Sequence, residues 1–332
     1  MKTFLGVDGG GTKTDFLLID ASGSVLATHR GGSAYYLELG FDALQAMMAA
    51  GIQATLKQAG ITASELGFAF LGLPAYGEDR ALLPRLDGIV ADVLPAGGYR
   101  CDNDVVCGWA GALAAGDGIN IVAGTGSIAY GEYQGRRARA GGWGELFSDE
   151  GSAYWIAREG LTLFSRMSDG RAPQAALYDL IRAHFQLGSD LDVCAAVYGP
   201  PALTRSGLAA LAPLVARAAQ EGDAEARRLF ERAAQELAAV VHAVRDQLNV
   251  PPRTLLPVSY SGGMFRLEGL LKPMLEAALG AVERRYEFVA PRLSPVAGAA
   301  LYAAKLSGAP LSVESIAALA RSAEGSALGD VA

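Results

Sequence analysis

The period of apolar and polar positions changes several times along the chain. Residues 3–7 (Thr-Phe-Leu-Gly-Val) and 14–19 (Thr-Asp-Phe-Leu-Leu-Ile) are β-rich runs on either side of Asp8-Gly9-Gly10-Gly11-Thr12-Lys13, which predicts strand, glycine turn and returning strand. A turn signal at 20–23 and the run Val25–Thr28 add a third strand, so the chain opens as an antiparallel meander. From Leu44, apolar or small residues at Met47, Met48, Gly51, Ile52, Thr55, Leu56 and Ala59 follow helical spacing, and Gly60 supplies the stop. Strands are predicted at Leu66–Gly72 and just before Asp104, then a small-residue helix over about 105–115.

The order of elements then restarts. Asn120–Ala123 leads into Gly124-Thr125-Gly126-Ser127 and an alternating run Ile128–Tyr133, again strand, Gly/Thr turn and strand, which implies two related halves meeting near Gly116-Asp117-Gly118. The second half is mostly helical. Leu229, Phe230, Ala233, Leu237, Val240, Val241, Val244 and Leu248 form a core stripe ending before Pro251-Pro252. Leu255–Tyr260 reads as a strand running into Ser261-Gly262-Gly263, residues 265–279 as a helix, and 295–304 as a helix of small side chains. The last twenty or so residues carry little structural signal.

Composition narrows the function. With 332 residues, 51% of them hydrophobic, and 42 glycines, the chain has material for large cores and many tight turns. No run approaches a membrane span, and Asp8 interrupts any leader-like apolar stretch, so a cytoplasmic protein without a membrane partner is expected. A net charge of −7 argues against nucleic acid, whose phosphates demand clustered Lys and Arg. Cys101, Cys107 and Cys194 have no metal or disulfide spacing and are expected as buried free thiols; His29, His184 and His242 are read as structural.

Three glycines at 9–11 remove every Cβ from the first turn, so its backbone N–H groups can converge on a phosphate; the order of residues is not that of a P-loop. Gly124-Thr125-Gly126-Ser127 precedes a strand rather than a helix, which argues against a dinucleotide fold. Two such turns suit a polyphosphate held in a cleft between halves. Asp8 and Asp104, both at strand ends, match the two carboxylates of phosphoryl transfer, one organising Mg²⁺ and one taking a proton. An Asp at a strand end is also a common helix cap. Residues 141–155 combine glycines, aromatic rings and adjacent acids, the groups that hold sugar hydroxyls and C–H faces.

Together these residues resemble the sugar-kinase, Hsp70 and actin ATPase superfamily, in particular its N-acetylglucosamine kinase-like branch, the BadF/BadG/BcrA/BcrD ATPase family. The resemblance runs from Phe4 to about Leu306, and its most specific strings are Gly141-Gly142-Trp143-Gly144 and Asp149–Trp155. It implies an α/β, two-lobed actin-like ATPase fold of duplicated ribonuclease H-like domains, with mixed sheets flanked by helices. The implied ranges are an N-terminal lobe at 1–117, a C-terminal lobe at 118–294, a helix at 295–308 returning to the first lobe, and a tail at 309–332. It further implies a homodimer that uses ATP and Mg²⁺ to phosphorylate the 6-hydroxyl of N-acetylglucosamine, or of glucosamine.

By the same resemblance Asp104 is the catalytic base, and Tyr35, Asn103, Ser127, Gly142, Trp143 and Asp149 join it around the sugar. Gly10, Gly11, Thr12, Lys13, Gly124, Thr125 and Gly126 hold the phosphates, Gly262 and Gly263 approach the adenosine, and Asp8 holds Mg²⁺ through water. Tyr35 stands in a loop where family members often carry Asn, which leaves the choice among amino sugars open. The zinc-binding cysteines of the ROK kinases are absent, which excludes that branch. An ATPase energising electron transfer through an iron–sulfur cluster is disfavoured by the cysteine spacing, and a chaperone-like switch by the sugar-type loop.

Overall fold

The opening meander forms as the pattern predicts. In the computed structural model, which describes residues 2–267 and 269–325, β1 (Thr3–Gly9), β2 (Thr14–Asp20) and β3 (Val25–Gly31) pair antiparallel in turn. β4 (Phe68–Leu73) lies parallel to β1, and β5 (Tyr99–Asn103) parallel to β4, giving a five-stranded sheet in the order β3-β2-β1-β4-β5.

The second sheet contains β6 (Gly118–Ala123), β7 (Ser127–Tyr133), β8 (Arg136–Gly141), β9 (Leu256–Ser261) and β10 (Tyr286–Phe288). Its order is β10-β9-β6-β7-β8, with β7 and β8 antiparallel and β9 and β10 parallel. Read from the β8 edge, this repeats the first sheet strand for strand, so the faint sequence repeat is a duplicated topology. The sheets belong to two compact units, residues up to 120 with the chain from 290 onward, and residues 121–289; β6 opens at their junction.

In the first unit, Phe4, Leu5 and Val7 of β1 and Phe16, Leu18 and Ile19 of β2 are fully buried. The helix Phe41–Ala59 packs on β2 and β3 through Leu44, Met48 and Ile52, and ends at Gly60, whose left-handed φ of 68° lets its N–H close on the carbonyls of Leu56 and Lys57. The helix Pro295–Leu306 packs on β1 and on the helix Val105–Ala112. Among the described residues no helix is long and apolar enough to cross a membrane.

In the second unit, the helix Ala224–Gln247 buries the expected stripe except Val240, which is half-exposed, and Asp223 caps it by accepting from the N–H groups of Glu225 and Ala226. Arg245 on this helix is fully buried, yet its guanidinium donates to the carbonyls of Arg285, Pro251, Pro252 and Thr254, so the charge is well solvated by backbone.

Three expectations change. Cys194 is exposed rather than buried, because Val197 is the one buried residue of its short helix Asp192–Tyr198. The helix expected over 265–279 is a 3₁₀ turn at Gly263–Arg266 followed by a helix at Leu271–Gly280, with residue 268 of that span outside the described residues. The tail contains a helix, Val313–Gly325, with Leu319 buried and the Ser315 hydroxyl donating to the Ala21 carbonyl. Residues 326–332, part of the expected tail, lie outside the described residues.

Candidate active site

The first unit gathers its candidates at the carboxyl ends of parallel strands, where open α/β sheets present ligand-binding loops. Register aligns Asp8 with Gly72 across β1 and β4, and Gly72 with Asp102 across β4 and β5. Asn103 closes β5, and Asp104 follows as the residue before the helix Val105–Ala112. Asp104 occupies the cap position, but its side chain makes no capping bond; Asn103 Oδ1 instead accepts the Val105 N–H at 3.2 Å. The Asn103 amide nitrogen donates to the Tyr76 carbonyl at 3.1 Å. Asn103 thus performs the capping duty that would otherwise explain Asp104.

Asp8 lies in a field of like charge. Its carboxyl is pushed up to about 7, by burial first and then by Asp104 and Asp15, against a hydrogen bond from Cys107 and the charge of Lys13. Cys107 is fully buried and its thiol also donates to the Val7 carbonyl at 3.5 Å. Gly72 is needed behind this group. A Cβ there would sit 2.3 Å from Cys107 Sγ and 3.0 Å from Asp104 Cα. Neither Cys107 nor Gly72 stands out in the sequence as a site residue, because their importance is a contact across three strands.

The glycine turn after β1 differs in detail from a bare nest. Gly10 N–H donates to the Lys13 carbonyl at 2.9 Å and so closes the turn itself, while Gly11 and Thr12 are exposed at its tip. Lys13 Nζ lies 3.5 Å from Asp15. Tyr35 is partly buried against the core of this unit, with its N–H donating to Ser33 Oγ at 3.0 Å.

In the second unit the turn after β6 and the end of β9 are packed together. Gly262, at φ 102°, faces the Ala123–Gly124 peptide so closely that a Cβ would lie 2.4 Å from the Ala123 oxygen and 2.8 Å from the Gly124 nitrogen. Gly263 beside it is exposed. The carbonyls of Gly124 and Thr125 accept from the N–H groups of Ala153 and Tyr154, which seats the start of the helix Ala153–Ser168 on the turn. Ser152 caps that helix, accepting from Trp155 N–H at 3.2 Å.

Asp149 is buried, with an unusual left-handed φ of 61°. Its Oδ1 accepts from the Ser127 N–H at 3.3 Å, and its Oδ2 is held by Arg205. Burial raises its carboxyl above the ordinary value, opposed by the Ser127 N–H and by Arg205. The Ser127 hydroxyl donates to the Glu150 carbonyl at 2.7 Å. Gly142, at φ 69°, leaves no room for a Cβ beside Ile128, and Arg139 pins its carbonyl at 3.2 Å. Trp143 is 70% exposed next to Phe147 at 75%, an open aromatic face. Arg205 is the residue of this cluster that local sequence does not signal, since it stands on a separate short helix, Arg205–Ala209.

Duplicated five-stranded sheets, each with a glycine turn after its first strand, define an ATPase of the actin-like fold. The chain belongs to the BadF/BadG/BcrA/BcrD ATPase family, whose model matches residues 5–303. It is 28% identical over 315 residues to an N-acetyl-D-glucosamine kinase of Dictyostelium discoideum, covering 91% of this chain and 98% of that one. It is also 28% identical over 270 residues to an N-acetylmuramic acid/N-acetylglucosamine kinase of Clostridium acetobutylicum, covering 80% and 86%. A solved structure from Chromobacterium violaceum, described as a candidate N-acetylglucosamine kinase, superposes with a TM-score of 0.69 at 28% identity, covering 91% of this chain and 98% of that one.

Proposed function

We propose that the chain is an ATP-dependent amino-sugar kinase that transfers the γ-phosphoryl group of ATP to the 6-hydroxyl of N-acetylglucosamine. The observation that carries this reading is Asp104: a carboxylate at a helix start whose capping role Asn103 has taken, electrostatically coupled to Asp8. Asp104 takes the hydroxyl proton as the sugar oxygen bonds to phosphorus and the bond to the ADP oxygen breaks. Asp149, Asn103, Ser127, Gly142, Trp143 and Tyr35 hold the sugar. Thr12, Thr125 and the glycines at 11, 124 and 126 contact the phosphates with Lys13, Gly10 shapes the first turn through its own N–H, and Gly262 and Gly263 approach the adenosine.

The site around Asp8 fits a cation: burial first and then Asp104 and Asp15 raise its carboxyl, and a positive charge would offset the desolvation and relieve the repulsion. Asp8 would hold Mg²⁺ through water. Mg²⁺ would supply charge neutralisation on the phosphates. A cytoplasmic homodimer completes the reading. Cys101 and Cys107 are both buried, which gives no support to a cluster-bridging ATPase.

The test is ADP release from the full chain with ATP and Mg²⁺ against N-acetylglucosamine, glucosamine, N-acetylmuramic acid and glucose. N-acetylglucosamine should give the largest sugar-dependent rate; identical ADP release with and without every sugar would refute a kinase. Tyr35→Asn should shift the preference between N-acetylglucosamine and glucosamine, measured as the ratio of their kcat/KM values. An unchanged ratio removes Tyr35 from the sugar site. Gly262→Ala should weaken ATP about 10-fold or more in equilibrium titration, since its Cβ would strike the Ala123–Gly124 peptide at a positive φ. ATP affinity equal to wild type would exclude Gly262 from the nucleotide site.

A further inference from the structure

Arg205 makes two ion pairs from one side chain. Its Nη2 holds Asp149 Oδ2 and its Nε lies 3.2 Å from Glu145, while the side chain remains 42% exposed. Asp149, by contrast, is 2% exposed. The guanidinium therefore lies between a buried carboxylate and solvent. Thr204 fixes its point of departure by accepting the Gly207 N–H at 3.1 Å, which caps the short helix Arg205–Ala209.

Gly126 forms the floor of this contact. A Cβ on Gly126 would lie 2.7 Å from Arg205 Nη2 and 2.8 Å from Asp149 Oδ2. The missing side chain in the turn thus admits the ion pair, a purpose separate from phosphate approach. With Ser127 N–H on Oδ1 and Arg205 on Oδ2, the plane of the Asp149 carboxylate is fixed from both ends, and the outward lone pairs take up a set direction. A carboxylate that receives two sugar hydroxyls needs that fixed plane, because each hydroxyl hydrogen bond depends steeply on angle.

We propose that Arg205 is a positioning residue for sugar binding: it orients the Asp149 carboxylate over Gly126 so that its remaining lone pairs meet ring hydroxyls. This rests on the amino-sugar kinase reading. Arg205 transfers no proton. Its effect falls on sugar affinity rather than on ATP, and on the ionisation of Asp149. The charged groups acting on Asp149 are Arg205, which favours the carboxylate, and Glu145, which disfavours it, with the Ser127 N–H adding to the first.

The experiment is calorimetric titration of N-acetylglucosamine into the nucleotide-free full chain between pH 5 and 8, with Arg205→Met, Arg205→Lys and Glu145→Gln, each checked by melting curve. Arg205→Met should weaken sugar binding about 10-fold or more, the size of a lost charge-assisted bond. Its acid limb should also move to higher pH, because the buried carboxylate then protonates more readily. Arg205→Lys should recover part of the affinity, Glu145→Gln should weaken binding less than Arg205→Met, and ATP affinity should hold in all three.

Wild-type sugar affinity and pH profile in a folded Arg205→Met would overturn the proposal. So would a Glu145→Gln loss as large as that of Arg205→Met, which would make the cluster a brace for the loop. If Arg205→Met does not fold, Arg205→Lys decides: a loss of about 3-fold or more supports orientation by the planar fork, and unchanged binding overturns it. A wild-type chain that binds no sugar at all fails the kinase reading itself, before any variant is compared.

Discussion

Asp104→Asn should lower sugar phosphorylation by about 10²–10⁴-fold, the usual loss when a general base is removed, while ATP and sugar affinities change little. The substitution is nearly isosteric, and the helix Val105–Ala112 keeps its cap because Asn103, not Asp104, accepts the Val105 N–H. The loss should therefore appear in kcat with an unchanged melting profile at acid pH. Steady-state turnover within about 3-fold of wild type would remove Asp104 from the proton transfer.

The same variant carries a second signature. An ordinary aspartate titrates near 3.8, and Asp8 is pushed up to about 7 in the fold, by burial first and then by Asp104 and Asp15. Between those values the folded chain binds the proton more tightly than the unfolded chain, so stability falls as pH rises through that window. Asparagine at 104 removes one of the repulsive charges and lowers the Asp8 carboxyl. The metal-free Asp104→Asn protein should accordingly melt above wild type at pH 8, with the gap closing toward pH 5. A lower melting temperature at pH 8 would contradict the electrostatic coupling of the two acids.

Features encoded locally are legible in the sequence. The β-rich runs at 3–7 and 14–19 on either side of a glycine turn mark the meander, and helical spacing from Leu44 to Ala59 ends at Gly60 in a left-handed cap. The restart at Asn120 marks a sheet with the same strand order as the first. What local pattern could not show lies in contacts between distant residues. Cys107 matters through the Val7 carbonyl and Asp8, Gly72 through Asp104, and Arg205 through Asp149 and Glu145. The polar run Arg136–Gly141 forms a strand because it pairs with β7, despite only one buried side chain, Ala138. Gly10 looked free to serve a phosphate, yet the turn itself uses its N–H. The helix Val313–Gly325 forms around the buried Leu319, supported by contacts with the distant turn at Ala21 and Gly23.

Gly298→Val should be the most damaging single change to the fold. The helix Pro295–Leu306 crosses the helix Val105–Ala112 where Gly298 meets Gly111: a Cβ on Gly298 would lie 2.0 Å from the Gly111 nitrogen, and one on Gly111 would lie 2.5 Å from the Ser294 oxygen. On β1, a Cβ at Gly6 would lie 2.2 Å from the Ala300 nitrogen. The obstacles are backbone atoms, which cannot rotate aside, and Trp109 and Tyr302 are packed edge to face at 5.5 Å in the same contact. Even Gly298→Ala must drive the helices apart and should cost about 3 kcal/mol or more, with valine worse. That corresponds to about 6–12 °C in melting temperature for a unit of this size. Gly32→Ala is the control, since its Cβ meets nothing within 4 Å, and should melt within about 2 °C of wild type. Because the displaced helix begins directly after Asp104, any Gly298→Ala protein that folds at low temperature should also lose turnover. If Gly298→Ala melts with the Gly32→Ala control, the glycine crossing is not what seats the helix that follows Asp104.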